Sequence, residues 1–196
     1  MLPPHAPPSF SDRSTLWNSV EQTEKSNNSQ LAREIELALP VELSREEQTR
    51  LVREYCSSQF VSKGMCADFN IHDTGSGNPH AHILLTMRPL DEKGAWAAKS
   101  KKEYVLDESG EKILLPSGRY KTRKIDLMDW NRQENADLWR KAWADMANDF
   151  LEQNGSAERI DHRSNAERGI DEIPTVHMGV AACQMEKKGI ATEKGE

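Results

Sequence analysis

The sequence predicts an α+β fold: a central, mainly antiparallel sheet with helices packed on one face and a polar, histidine-bearing face on the other. Two observations lead there. Stretches with helical spacing of apolar residues are interleaved with short stretches that alternate apolar and polar residues. The alternating stretches are short and bounded by Gly, Pro, Asn, Asp and Ser, which favours turns between neighbouring antiparallel strands.

The start, Met-Leu-Pro-Pro-His-Ala-Pro-Pro, is proline-rich and predicts an extended segment. Residues 11 to 25 read as a short helix with Leu16, Trp17 and Val20 on its apolar face; Ser11 or Asp12 can cap it. Ser26-Asn27-Asn28-Ser29 breaks that pattern. From 31 to 39, Glu34, Glu36 and Ala38 alternate with Ile35, Leu37 and Leu39, a half-buried strand stopped by Pro40. Ser44-Arg45-Glu46-Glu47 is a capping box that opens a helix to about residue 63, with Leu51, Val52, Tyr55 and Phe60 inward and Gly64 as its stop. Asp68–His72 and His80–Thr86 alternate as two further strands. Tyr104-Val105-Leu106 and Ile113-Leu114-Leu115 flank Asp107-Glu108-Ser109-Gly110 as a hairpin. A long helix spans roughly 130 to 153, where Ala136, Trp139, Trp143, Met146 and Phe150 form a core stripe and Gly155 follows its end. Residues 158 to 163 suggest a short edge strand. Pro174 opens a last helix and Gly189 stops it.

Three of the six histidines fall in the pattern His-x7-His-x-His, at His72, His80 and His82. Residues two apart on a strand share a face, so His80 and His82 point the same way. The link Asp73-Thr74-Gly75-Ser76-Gly77-Asn78-Pro79 is made of turn residues, and an antiparallel pairing across it brings His72 to the same face. Three converging imidazoles form a site for a divalent ion with open coordination positions. Such an ion can bind a phosphate oxygen and neutralise charge in the transition state; with water as a fourth ligand it can instead hydrolyse. Glu34 and Glu36 lie on the polar face of a nearby strand, placed to orient a ligating histidine or to assist proton transfer.

Composition bounds the rest. At 196 residues the chain suits one domain, residues 1–196, with a real core. No long apolar run or secretory signal is present in the sequence, so no membrane insertion is expected. Cys56, Cys66 and Cys183 are odd in number and lack Cys-x-x-Cys spacing, which fits a reducing cytosol and small buried apolar roles. The net charge of −6 does not point to nucleic acid. Yet Lys99, Lys101, Lys102, Arg119, Lys121, Arg123 and Lys124 flank the hairpin as a local basic patch able to grip backbone phosphates. His5 and His177 read as structural or exposed.

Certain phrases resemble a known family. The His-x7-His-x-His run, Asn78-Pro79-His80-Ala81-His82-Ile83-Leu84-Leu85-Thr86-Met87-Arg88 and Arg159-Ile160-Asp161-His162-Arg163-Ser164 look like the MobA/MobL family of plasmid mobilisation relaxases, HUH endonucleases. So do Leu2–Pro8, the phrase from Ser29 to Pro40, and Ile173-Pro174-Thr175-Val176-His177-Met178-Gly179. The resemblance covers nearly the whole chain. It implies site- and strand-specific nicking of single-stranded DNA at a plasmid transfer origin. A tyrosine hydroxyl attacks a phosphate, frees a 3′ hydroxyl and holds the 5′ phosphate as an ester, which reversal re-joins without ATP. It also implies that His72, His80 and His82 hold Mg2+ or Mn2+. Arg159, His162 and Arg163 become candidate DNA contacts, with ion pairing to Asp161 as the competing role. Accessory mobilisation proteins and a type IV secretion coupling protein become expected partners, in the cytoplasm.

The sequence departs from the family in one respect. The family's nucleophilic tyrosine lies in a strand-to-helix segment upstream of the phrase that begins here at residue 2. Tyr55 reads as helix core, and Tyr104 and Tyr120 lie in or beside the hairpin. The expectation is an N-terminally truncated relaxase domain, with a sheet edge exposed by the loss, that binds metal and single-stranded DNA but nicks poorly. Three readings compete with an active relaxase. They are a rolling-circle replication initiator, a non-catalytic single-stranded DNA-binding remnant and a metal-dependent hydrolase.

Overall fold

The computed structural model describes residues 1–75, 77–172 and 178–193. The chain divides into two compact units, Met1–Ile160 and Asp161–Glu196.

The first unit is built on a three-stranded antiparallel sheet in the order β1-β3-β2, with β1 at Ala32–Ala38, β2 at Ala67–His72 and β3 at His80–Thr86. The register opposes Glu36 to His82 on one side and Asn70 to His82 on the other; His72 faces His80. Because side chains alternate, one face carries Glu34, Glu36, His72, His80 and His82. The other carries Ile35, Leu37, Phe69, Ile71, Ala81, Ile83 and Leu85.

The apolar face is covered by α2 (Arg45–Gln59) and α3 (Glu134–Gln153). Leu51, Val52, Tyr55 and Phe60 meet Ile83, Leu85, Trp139, Trp143 and Phe150 in one core. Tyr55 packs edge-on against Phe60 and Trp143 at 5.3 and 5.1 Å, and its hydroxyl donates to the Trp139 carbonyl at 3.0 Å. An aromatic ring thus brings its one polar atom a partner inside the core. Ser44 caps the helix, its Oγ accepting from the Glu47 N–H at 3.2 Å, while the Glu47 carboxylate pairs with Arg50 rather than closing the box. The helix tightens into a 3-10 turn at Val61–Lys63 and ends at Gly64, whose φ of 92° suits glycine.

The polar face is partly covered too. Helix α1 (Arg13–Thr23) is capped by Asp12, which accepts from the Thr15 N–H. Arg13 Nε and Trp17 Nε1 donate to Asp68 Oδ2 at 2.7 and 3.0 Å, on the side of β2 that carries His72. Leu16 and Val20 of this helix enter a smaller cluster with Phe10, Cys66 and Leu90. The helix is anchored again by Glu24, which accepts from Arg88 Nε at 2.9 Å and Lys99 Nζ at 2.6 Å.

Four expectations change on inspection. The proline-rich start is not extended throughout: it turns at Pro3–Ala6 and forms a 3-10 turn at Pro8–Ser11. The turn brings the His5 carbonyl against Gly94, where an added Cβ would sit 2.8 Å from that oxygen. Met1 and Ala67 exchange backbone hydrogen bonds, so the outer edge of β2 is paired there. Residues 158–163 are not a strand. The Ile160 N–H and carbonyl are both taken by the side chain of Asn148 on α3, which supplies the partners a sheet edge would have offered. Cys56 and Cys66 are buried, and burial pushes their thiols up to about 12 and about 11, but Cys183 is exposed.

The hairpin is present but is part of a longer arm. Leu106 pairs with Lys112 across a turn in which Asp107 Oδ1 accepts from the Ser109 and Glu111 N–H groups. A second turn at Leu115–Gly118, driven by Pro116-Ser117-Gly118, sends the chain back. Strand β5 (Thr122–Asp126) then pairs with β4 (Ser100–Tyr104).

In the second unit, α4 spans Gly179–Lys187 and the chain turns at Gly189. The predicted opening at Pro174, and His177 with it, lie outside the described residues. No described helix is long and apolar enough to cross a membrane.

Candidate metal centre and the basic arm

The central strand β3 presents His80 and His82, and β2 adds His72 from the strand beside it. The three rings close on one another, with centroid separations of 4.7 Å for His72–His82, 5.1 Å for His80–His82 and 5.5 Å for His72–His80. One nitrogen from each ring lies within 4.8 Å of the others. Bonds of about 2 Å from one ion would place its ligand atoms about 3 Å apart, and small side-chain rotations would close the present spread to that. The three side chains are the one such grouping of His, Cys, Asp and Glu among the described residues.

Two of the rings are held in the orientation a ligand needs. His80 Nδ1 donates to the Asn78 carbonyl at 2.9 Å, and His82 Nδ1 donates to Glu34 Oε1 at 2.8 Å. A backbone carbonyl only accepts, so Nδ1 of His80 carries the proton and Nε2 keeps its lone pair. The Glu34 carboxylate imposes the same tautomer on His82 and fixes the orientation of its ring. The residues fit a divalent cation: three neutral nitrogen donors converge, two with their outer nitrogens engaged, and solvent reaches the remaining side.

Of the two predicted carboxylates, Glu34 makes this contact. Glu36 is exposed and lies directly opposite His82 across the β1–β3 ladder, at the rim of the site. Two supports escaped the sequence reading. The Asn78 carbonyl is main chain and has no side-chain signature. Asp68, on the same face of β2, fixes α1 beside the site through Arg13 and Trp17, partners more than fifty positions away.

The basic residues divide. Lys99 is engaged by Glu24 and by the Gln30 carbonyl at 2.6 Å each and ties the base of the arm to the body. Glu24 is nearly buried; burial alone would raise its carboxyl, but hydrogen bonds and charge from Arg88 and Lys99 hold it down at about 2. Lys101, Lys102, Arg119, Lys121, Arg123 and Lys124 all lie exposed on the arm. Arg123 also binds Glu103, and Lys124 binds Asp126, both at 2.7 Å.

Arg159 is exposed, and its Nη1 donates to the nearby carbonyls of Ser156 and Glu158 at 2.8 Å. In the second unit, Arg163 forms a fork with Asp161, whose carboxyl is held far below the usual range by hydrogen bonds from Arg163. His162 is half-buried between them in sequence. None of the tyrosines stands at the histidines' strands: Tyr55 is in the core, and Tyr104 and Tyr120 are on the arm.

An antiparallel sheet with three histidines on its open face, backed by helices on the other, defines an HUH-type nuclease fold. The chain belongs to the MobA/MobL family, whose profile matches residues 1–188. It is 35% identical over 210 residues to a probable mobilization protein MobA of Bifidobacterium longum, covering 99% of this chain and 37% of that protein. It is 39% identical over 174 residues to the conjugal transfer protein TraA of Agrobacterium fabrum, covering 88% of this chain and 15% of that one. Mobilization protein A of Escherichia coli is 34% identical over 190 residues, covering 96% of this chain and 25% of that protein. The chain therefore spans well under half the length of these curated relatives. A chain solved for the molecular basis of vancomycin resistance transfer in Staphylococcus aureus superposes with a TM-score of 0.68 at 35% identity. That match covers 84% of this chain and 73% of the solved one. Family and fold are thus those of the MobA/MobL relaxases of the HUH superfamily.

Proposed function

We propose that residues 1–196 form one relaxase domain that supplies the metal and DNA sites for nicking of single-stranded transfer-origin DNA, with His72, His80 and His82 as the metal ligands and a tyrosine hydroxyl, furnished by none of Tyr55, Tyr104 and Tyr120, as nucleophile. The convergence of the three rings, with Glu34 and the Asn78 carbonyl orienting two of them, carries this reading. Mg2+ or Mn2+ bound there would polarise the scissile phosphate and offset its developing charge. Nitrogen donors favour Mn2+, since Mg2+ prefers an all-oxygen octahedron.

The chain's own residues do the rest. Glu34 keeps the His82 lone pair aimed at the ion. Glu36, exposed opposite His82, is placed to accept a proton from an attacking hydroxyl. Lys101, Lys102, Arg119, Lys121, Arg123 and Lys124 hold the strand by its phosphates, so affinity falls as salt rises. Arg159, His162 and Arg163 add contacts only by giving up their present partners. In the cytoplasm, accessory mobilisation proteins and a type IV secretion coupling protein would receive the nicked complex.

Tyr55, Tyr104 and Tyr120 are not the nucleophile in this reading. Tyr55 has its hydroxyl bound in the core, and burial pushes that hydroxyl above its usual range. Tyr104 and Tyr120 face each other on the arm. The 196 residues alone accordingly bind metal and DNA but form little covalent product. The second reading, a non-catalytic DNA-binding protein, draws on the same observation.

Labelled transfer-origin oligonucleotides with Mn2+ test this. The chain is compared with a fusion carrying the tyrosine segment of a relative upstream of residue 2. A covalent protein–DNA band with the fusion alone is expected. A band from neither, across a panel of origins, would favour the binding protein; a band from the chain alone would refute the account of the tyrosines.

A further inference from the structure

Two of the three tyrosines stand half exposed on the arm, Tyr104 at 49% and Tyr120 at 50%. The pairings Leu106–Lys112, Leu114–Tyr120, Tyr104–Thr122 and Lys102–Lys124 put opposed residues on a common side. One face of the arm therefore carries Lys102, Tyr104, Lys112, Tyr120 and Lys124, together with Leu106 and Leu114, themselves 52% and 61% exposed. Glu103 and Glu111 fall on the opposite face, Asp107 and Glu108 lie in the turn at the tip, and Asp126, at the base of this face, is paired with Lys124. From 100 to 126 the chain has seven basic and five acidic residues, net +2 in a protein of net −6. An apolar, aromatic surface with lysines around it and almost no carboxylate is matched to a ligand that is flat, apolar on its faces and anionic along its backbone.

The rings suit such a ligand. Their centroids are 5.9 Å apart and their planes meet at 84°, so they do not stack on each other. The ring faces are met instead by Lys112, whose Nζ lies 4.1 Å from the Tyr104 centroid and 5.6 Å from that of Tyr120. In the free protein this cation occupies the place a base would take. A nucleotide satisfies both partners at once, its base replacing the ammonium on the ring and its phosphate receiving the ammonium.

We propose that this face of the arm is a base-stacking platform for single-stranded DNA, with Tyr104 and Tyr120 as the stacking residues and Lys102, Lys112 and Lys124 as phosphate contacts. The proposal rests on the DNA-strand reading above and adds to it the residues that contact bases rather than backbone. These residues set grip on the unpaired strand; they take no part at the metal.

Fluorescence anisotropy tests it, using the whole chain with labelled oligo(dT) and an abasic oligonucleotide of equal length. The native protein prefers oligo(dT) by about tenfold, since a stacked base is worth roughly 1–3 kcal/mol. Tyr104→Leu with Tyr120→Leu abolishes that preference while abasic binding stays the same. Tyr104→Phe with Tyr120→Phe retains it, which separates stacking from folding of the arm. Lys112→Gln lowers the salt slope by about 0.7. His82→Ala removes metal binding but leaves the preference intact, so a failed metal reading is told apart from a failed platform. Equal binding of the two oligonucleotides by native protein, or an unchanged preference in the leucine variant, would overturn the proposal and leave the face to a protein partner.

Discussion

Glu34 is exposed and touches no expected substrate, yet its removal should weaken the metal centre. Its carboxylate accepts the Nδ1 proton of His82 at 2.8 Å, on a ring whose Nε2 is one of three converging donors. Two contributions vanish in Glu34→Ala: the orientation of the ring and the electrostatic support of the histidine. Outer partners of this kind change metal affinity by about 10–100-fold. Here Glu34 is 58% exposed and His82 29%, so water screens the charge and takes over part of the hydrogen bond. That places the effect near the lower limit, about tenfold or roughly 1.4 kcal/mol. Glu34→Gln keeps an acceptor oxygen and loses the charge, so about threefold is expected. Mn2+ titration followed by the electron paramagnetic resonance of the free ion measures both. Thermal unfolding without metal serves as control, because an exposed strand position should move stability little. If Glu34→Ala binds Mn2+ as tightly as the native chain while remaining folded, His82 is oriented by its strand alone and the argument from Glu34 fails.

Two further outcomes follow from the packing. Glu24, held at about 2 against an ordinary 4.5, contributes stability that is fully present above 4.5 and lost as pH falls toward 2. The displacement corresponds to about 3 kcal/mol, reduced somewhat because Arg88 and Lys99 are partly exposed. Chemical denaturation of native and Glu24→Gln protein should therefore show a gap at pH 7 that narrows below pH 4.5, to less than half by about pH 3, and goes on closing below that; a constant gap would contradict the ion-pair origin. Tyr55→Phe removes one core hydrogen bond to the Trp139 carbonyl without changing ring packing, and should cost about 1 kcal/mol in urea unfolding. No change would mean that the hydroxyl contributes nothing net.

Much of this molecule was legible along the chain because its signals are local. Alternation from Ile35 to Leu39 and from His80 to Leu85 marks strands, since a half-buried sheet needs a period of two. The capping box at Ser44 and the spacing of Trp139, Trp143 and Phe150 mark helices for equally local reasons. The histidine cluster was legible as well, because two of its members share a strand and the third is one turn-rich link away. Signals without a sequence neighbour were not. The second turn at Leu115–Gly118 turned a hairpin into an arm, and only the resulting register put Tyr104, Lys112 and Tyr120 on one face. Ile160 lost its strand to the side chain of Asn148, a competition that propensity cannot weigh. Lys99 looked like its basic neighbours until the fold brought it to Glu24, seventy-five positions away. Residue types and periodicity set which elements form and which face of each is polar. Partners distant in sequence, brought together by chain packing, decided which charges are spent on the fold and which remain to meet a ligand.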